Sequence, residues 1–213
     1  IAIHKVFDSP KDKIIFDVSH QSYTHKILTG RYNEFKTLRT YNGISGFTKM
    51  DESVHDVFEG GHSSTSISSA LGLLTSWDLQ QKEGKVIAVI GDGALTGGMA
   101  FEALCHAGQL CKNLIVVLND NQMSIDQNTG AISKYLSSLT MTGKYQNFRR
   151  RVDNFISKIP LLNKFIEKFV YRFKRSLKGL FLSNNLFVDL GFEYVGPLEG
   201  HNISELETVF KRV

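Results

Sequence analysis

Asp92 stands between two glycines in IAVIGDGALTGG, from Ile87 to Gly98, and Asn121 follows 29 positions later in NDNQMSI. Both side chains offer hard oxygen donors. A glycine loop after an apolar run usually takes a phosphate, and an aspartate there would repel a bare diphosphate. It becomes useful with magnesium between them, because magnesium takes about six oxygens at roughly 2.0–2.1 Å. Asp92 can give a carboxylate oxygen, Asn121 its amide carbonyl, and Met123 a backbone carbonyl. Two diphosphate oxygens and a water would complete the octahedron. Gly91 and Gly93 allow close backbone approach, and the N-terminus of the following helix favours the anion.

Other chemistries fit less well. The loop reads G-x-G-x-x-x-G from Gly91 to Gly97, one residue longer than a dinucleotide fingerprint. The next strand also ends in asparagines, without the acid that would hold a ribose hydroxyl. A tight turn with an incidental aspartate would suit Gly91-Asp92-Gly93 alone. The recurrence of donors at Asn121 weighs against it.

Positioning these groups requires a particular scaffold. IIFDV (Ile14 to Val18), KVIAVI (Lys85 to Ile90) and NLIVVL (Asn113 to Leu118) are nearly continuous apolar runs. Such runs suit strands of a parallel sheet covered on both faces. GMAFEALCHAGQL lies between the second and third, with Met99, Leu104, Ala107 and Leu110 at apolar positions. It predicts a helix, so Lys85 to Leu118 is a βαβ unit. Upstream, SISSALGLLTSWDL sets Ile67, Ala70 or Leu71, Leu74 and Trp77 on one helical face, with Ser63 to Ser66 as caps. FEYVG followed by NISELETVF predicts a further strand and helix, Asn202 and Glu205 being at capping-box spacing. The predicted class is α/β, a mostly parallel sheet with helices on both faces, beyond whose strand ends ligands bind.

Bulk properties narrow the function classes. The 213 residues are 42% apolar and 22% charged, as in ordinary globular proteins. Cys105 and Cys111 fit neither a disulfide framework nor a zinc site, so they read as core filler in a cytoplasmic protein. No apolar run approaches the ~20 residues of a membrane span. The opening IAIHKVF reads as mid-helix, so a longer parent is expected. The net charge of +4 hides an asymmetry: between Lys144 and Lys178 eleven Lys or Arg face only Asp153 and Glu167. This segment, about 143–180, is read as a basic helical or mobile insertion, in preference to a nucleic-acid or membrane surface.

The flanking text is more specific. DVSHQSYTHKILTGR, GHSSTSISSALG, IGDGALTGGMAFEAL and LNDNQMSI, with FEYVGPLEGHN near the end, resemble the N-terminal cofactor domain of the 1-deoxy-D-xylulose-5-phosphate synthase family, relatives of transketolase. The resemblance runs from Ile1 to Val213. Ser19 departs from the usual glycine, Ser22 from a common alanine and Thr24 from a common proline, which alters loop shape more than chemistry.

The resemblance implies thiamine diphosphate and magnesium as cofactors. It implies that pyruvate loses carbon dioxide and its remaining two carbons join D-glyceraldehyde 3-phosphate, a step toward isoprenoids, thiamine and pyridoxal. Asp92, Asn121 and Met123 would hold the metal. Gly93 and Ala94 would offer amides to the diphosphate, and the Gly61-His62-Ser63 loop would meet the cofactor. His20 and, less closely matched, His25 would be catalytic, His20 also touching the cofactor. His4, His55, His106 and His201 carry weaker cases. In the family a second, pyrimidine-binding domain supplies the activating glutamate, and the complete enzyme is a homodimer. Neither that domain nor the usual third one is within these residues, which are therefore expected to be inactive alone. The alternatives are the diphosphate-binding subunit of a split transketolase or of a 2-oxo acid dehydrogenase, and a non-catalytic binding domain or proteolytic remnant that serves only as a scaffold.

Overall fold

The computed structural model describes residues 1–110, 113–121, 131, 134–136 and 185–213. Cys111, Met123 and the basic segment 143–180 lie outside the described residues. Two compact units are present, one formed by Ile1–Lys134 with Gly196–Val213, the other by Tyr135–Val195.

The first unit contains three parallel strands: β1 (Lys13–Phe16), β2 (Val86–Gly91) and β3 (Leu114–Asn119). Their order is β1-β2-β3, which leaves β2 central and Val86 to Ile90 buried. Alternate side chains point to opposite faces of a strand. On one face Ile14, Ile87 and Val89 pack with Ala2 and Phe7 from the α1 (Ala2–Val6) region and Phe210 of the C-terminal helix. Across the other face lies α3 (Ser66–Gln80), following the short α2 (Tyr23–Lys26), and it touches all three strands. α5 (Gly98–Leu110) packs on α3, and α4 (Asp92–Leu95) is the single turn between β2 and α5. This is the α/β arrangement read from the continuous apolar runs.

Several local expectations need correction. FEYVG is not a strand: Phe192 turns back to donate its N–H to the Phe187 carbonyl at 2.9 Å, so the run does not enter the sheet. α5 buries Ala100, Ala103, Leu104 and Ala107, while Met99 and Leu110 are exposed. Small residues let the helix sit close, and the larger side chains flank that face. Cys105 is likewise exposed and fills no core.

In the second unit, α6 (Leu186–Asp189) is capped by Asn185, whose side chain accepts the Phe187 N–H. The Tyr194 ring stacks on Phe187 with centroids 5.8 Å apart. The final helix, α7 (Ile203–Phe210), belongs to the first unit and carries the predicted cap. Asn202 accepts the Glu205 N–H at 3.2 Å, and its amide donates to the Glu205 carboxylate at 3.2 Å. No helix among the described residues is long and apolar enough to cross a membrane.

Candidate functional site

The site is built at the carboxyl ends of the three strands. Parallel pairing sets Gly91 opposite Asn119, so the residues that follow, Asp92 on one strand and Asp120-Asn121 on the other, leave the sheet side by side. Asp92 is buried, at 7% exposure, whereas Asn121 is exposed. Gly91 is extended at φ −81°, ψ 157° and delivers Asp92 directly into α4. Thr96 donates its hydroxyl to the Gly93 carbonyl at 2.7 Å, and Ser64 donates its own to the Ala94 carbonyl at 2.7 Å. Both carbonyls are thereby turned toward protein donors, which fixes the peptide planes of the Gly93-Ala94 turn.

The donor set suits magnesium. Among the described residues no three His, Cys, Asp or Glu side chains gather into a metal cage. Magnesium does not require one, since it is commonly held by one or two carboxylates together with phosphate oxygens and water. Asp92 can offer a buried carboxylate, and Asn121, just past the neighbouring strand end, an exposed amide oxygen. Met123, the third expected ligand, lies outside the described residues.

The loop after β1 contributes what motif reading missed. Asp17, at 1% exposure, accepts the backbone N–H of Ser64 on Oδ1 at 2.7 Å and that of Ser66 on Oδ2 at 2.9 Å. It therefore caps α3 from another part of the chain. The N-cap residue, Thr65, makes no side-chain cap bond, so the serine caps expected from sequence are replaced by a tertiary carboxylate. Orphan N–H groups and the positive end of a helix both favour an anion there. Gly61, His62 and Ser63, just before this cap, are all exposed.

His20 is exposed, one residue after Ser19. Ser19 adopts φ +61°, in the left-handed region where glycine is at ease, and its hydroxyl accepts the Thr48 N–H at 3.1 Å. The departure from glycine thus costs backbone ease and adds a bond. A Cβ at Gly60 would lie 2.1 Å from this hydroxyl, so Gly60 must stay bare for the two loops to meet.

His25 has a different environment from His20. It is 3% exposed, and both ring nitrogens face protein: Nδ1 is 2.9 Å from His4 Nε2, and Nε2 is 2.9 Å from Asp56 Oδ1. Arg31 grips the same carboxylate with Nη1 at 2.6 Å and Nη2 at 2.9 Å, and the Lys49 N–H donates at 2.9 Å. These donors hold the Asp56 carboxyl far below the usual carboxylate range against the opposing effect of burial. His4 is lowered to about 4, first by burial and then by the neighbouring His25. Lys26 is fully buried and pairs with Glu52.

His55 meets the Ser9 hydroxyl at 2.9 Å, and His106 is exposed on α5. His201 lines a cleft of about 350 Å³ with His4, Gln21, Thr24 and His25. Asp92 is not among the residues that line this cleft.

A signal for Asp17 was present, an acid closing an otherwise apolar strand run. Asp56 and Arg31 gave none, because their partners are 25 to 31 positions apart.

Comparison with known proteins decides the family. The family model described as 1-deoxy-D-xylulose-5-phosphate synthase matches residues 1–213. The chain belongs to the 1-deoxy-D-xylulose-5-phosphate synthase family. A synthase of that name from Carboxydothermus hydrogenoformans is 57% identical over 212 residues, covering 100% of this chain and 34% of the relative. One from Halothermothrix orenii is 57% identical over 99% of this chain and 33% of its own length. The chain thus spans about a third of the length of the curated synthases it matches. Among solved structures, a transketolase from Leishmania mexicana superposes with a TM-score of 0.58 at 17% identity, over 95% of this chain and 27% of that one. That likeness concerns the fold alone, and it agrees with the α/β arrangement of the sheet and its helices.

Proposed function

We propose that this chain is the diphosphate-binding part of a transferase that makes 1-deoxy-D-xylulose 5-phosphate from pyruvate and D-glyceraldehyde 3-phosphate, releasing carbon dioxide. The observation that carries the reading is the Gly91–Asn119 register, which brings the Asp92 and Asn121 loops to one edge of the sheet. Asp92 and Asn121, with the Met123 carbonyl, would hold magnesium against the diphosphate. The Gly93 and Ala94 amides would bind its oxygens.

Bound there, thiamine diphosphate supplies the electron sink for decarboxylation and carbon–carbon bond formation. The protein's part is to hold and orient. Asp92 and Asn121 would hold one end of the cofactor by way of magnesium. His20, Gly61, His62 and Ser63, exposed on two loops, would meet the cofactor's reacting end and its substrates. His25, enclosed between His4 and Asp56, serves as support instead of meeting substrate. The activating carboxylate comes from a further domain, completed in a homodimer.

The test uses the full-length protein that carries this chain. Supplied with pyruvate, glyceraldehyde 3-phosphate, magnesium and thiamine diphosphate, it should release carbon dioxide and form the five-carbon product in equal amounts. Product formation that is indifferent to thiamine diphosphate, or absent, would overturn the reading.

A further inference from the structure

The Asp56 carboxylate receives four hydrogen bonds, two on each oxygen. Oδ1 receives His25 Nε2 and Arg31 Nη2, each at 2.9 Å, and Oδ2 receives Arg31 Nη1 at 2.6 Å and the Lys49 N–H at 2.9 Å. Four donors satisfy the four acceptor sites of a carboxylate. Because an ionised carboxylate only accepts, the His25 Nε2 carries a proton. Side-chain exposure is 0% for Asp56, 1% for His25 and 5% for Arg31. Glu52 adds a second acid to the cluster, paired with Lys26 and 3.5 Å from Arg31 Nη1.

The cluster joins two segments. His25 and Arg31 lie just after the turn that carries His20, and Asp56 lies just before the loop that carries Gly61, His62 and Ser63. Nearer the sheet the same segments are laced again. Thr48 donates its N–H to the Ser19 hydroxyl, and Ser64 and Ser66 donate theirs to Asp17. The loop tips are therefore exposed while their roots are tied at both ends. A buried ion pair contributes little net stability over a well-packed apolar pair, but a two-pronged arginine–carboxylate contact is directional. It specifies register in a way that packing alone does not.

We infer that Asp56 is a positioning residue of the active site, which acts through His25 and Arg31 to fix the His20 loop against the His62 loop. The inference rests on the thiamine diphosphate reading above, in which both loops face the cofactor. Small displacements of such groups have large effects, a misplacement of about 1 Å being enough to cost on the order of a hundredfold in rate.

The experiment compares Arg31→Lys, His25→Phe and His25→Gln in the full-length enzyme. Lysine keeps the charge and loses the fork. Phenylalanine removes the donor to Asp56, and glutamine restores one. Thiamine diphosphate affinity is read by calorimetry at saturating magnesium, alongside kcat, KM for pyruvate and thermal unfolding. R31K and H25F should bind the cofactor about tenfold more weakly and lose kcat about tenfold or more, with KM for pyruvate within about twofold. H25Q should recover most of both losses. R31K is the mildest change and decides the matter if H25F does not fold. Lowered unfolding temperatures with cofactor affinity and kcat within about twofold of wild type would overturn the positioning role. Asp92→Ala run in parallel separates the two claims. Full affinity in R31K with loss in D92A overturns positioning alone, and full affinity in both overturns the cofactor reading as well.

Discussion

The carboxylate of Asp17 accepts the backbone N–H of Ser64 at 2.7 Å, tying the end of β1 to the start of α3 across 47 positions of sequence. Ser64 then donates its hydroxyl to the Ala94 carbonyl, so one short path links the end of β1, the start of α3 and the Gly93-Ala94 turn. Asp17→Asn can present only one acceptor oxygen, and its amide group opposes the second N–H. Leaving a buried donor unsatisfied costs about 1–3 kcal/mol. Urea unfolding of the variant should show that loss at unchanged slope, together with weaker thiamine diphosphate binding. Wild-type stability in D17N would show that the cap is dispensable.

Ser22 gives a prediction of opposite sign. Its hydroxyl oxygen is buried and has no hydrogen-bond partner among the described residues. Replacing it with alanine removes a desolvated hydroxyl at almost no change in volume. Ser22→Ala should therefore stabilise the protein by about 1 kcal/mol. A clear destabilisation on denaturant titration would mean that the hydroxyl is satisfied in solution.

His4 should make stability depend on pH. Its folded value, about 4, lies below its ordinary 6.5. Between those values the unfolded chain takes up a proton that the folded chain does not. The contribution is therefore fully present above pH 6.5 and lost as the pH falls toward 4. His4→Gln keeps an N–H to offer His25 and does not titrate. Its denaturation midpoint should fall less steeply over this window than that of wild type. Parallel slopes would exclude His4 as a contributor.

The elements that carry the site were legible because their signals are local. Continuous apolar runs gave β1, β2 and β3, uninterrupted periodicity gave α3 and α5, and Asn202 with Glu205 announced the start of α7. The adjacency of Asp92 and Asn121 was also legible, since a βαβ unit brings successive strand ends together. FEYVG misled because five apolar-leaning residues can turn back on themselves as readily as pair. The α3 cap and the Asp56 cluster were hidden for a different reason. Each depends on groups far apart in sequence. Asp17 stood out as an acid in an apolar run without showing its partners, and Asp56 and Arg31 do not differ locally from ordinary surface charges.

The central claim is that Asp92 holds the metal that anchors the diphosphate, and magnesium-dependent binding of thiamine diphosphate tests it most directly. In wild-type full-length enzyme, calorimetry should show tight binding with magnesium and its loss on chelation. In Asp92→Ala, with the fold verified by circular dichroism, affinity at the same magnesium concentration should fall by about a hundredfold or more, because a ligand to the metal is lost outright. Near wild-type, magnesium-dependent affinity in folded D92A would contradict the account.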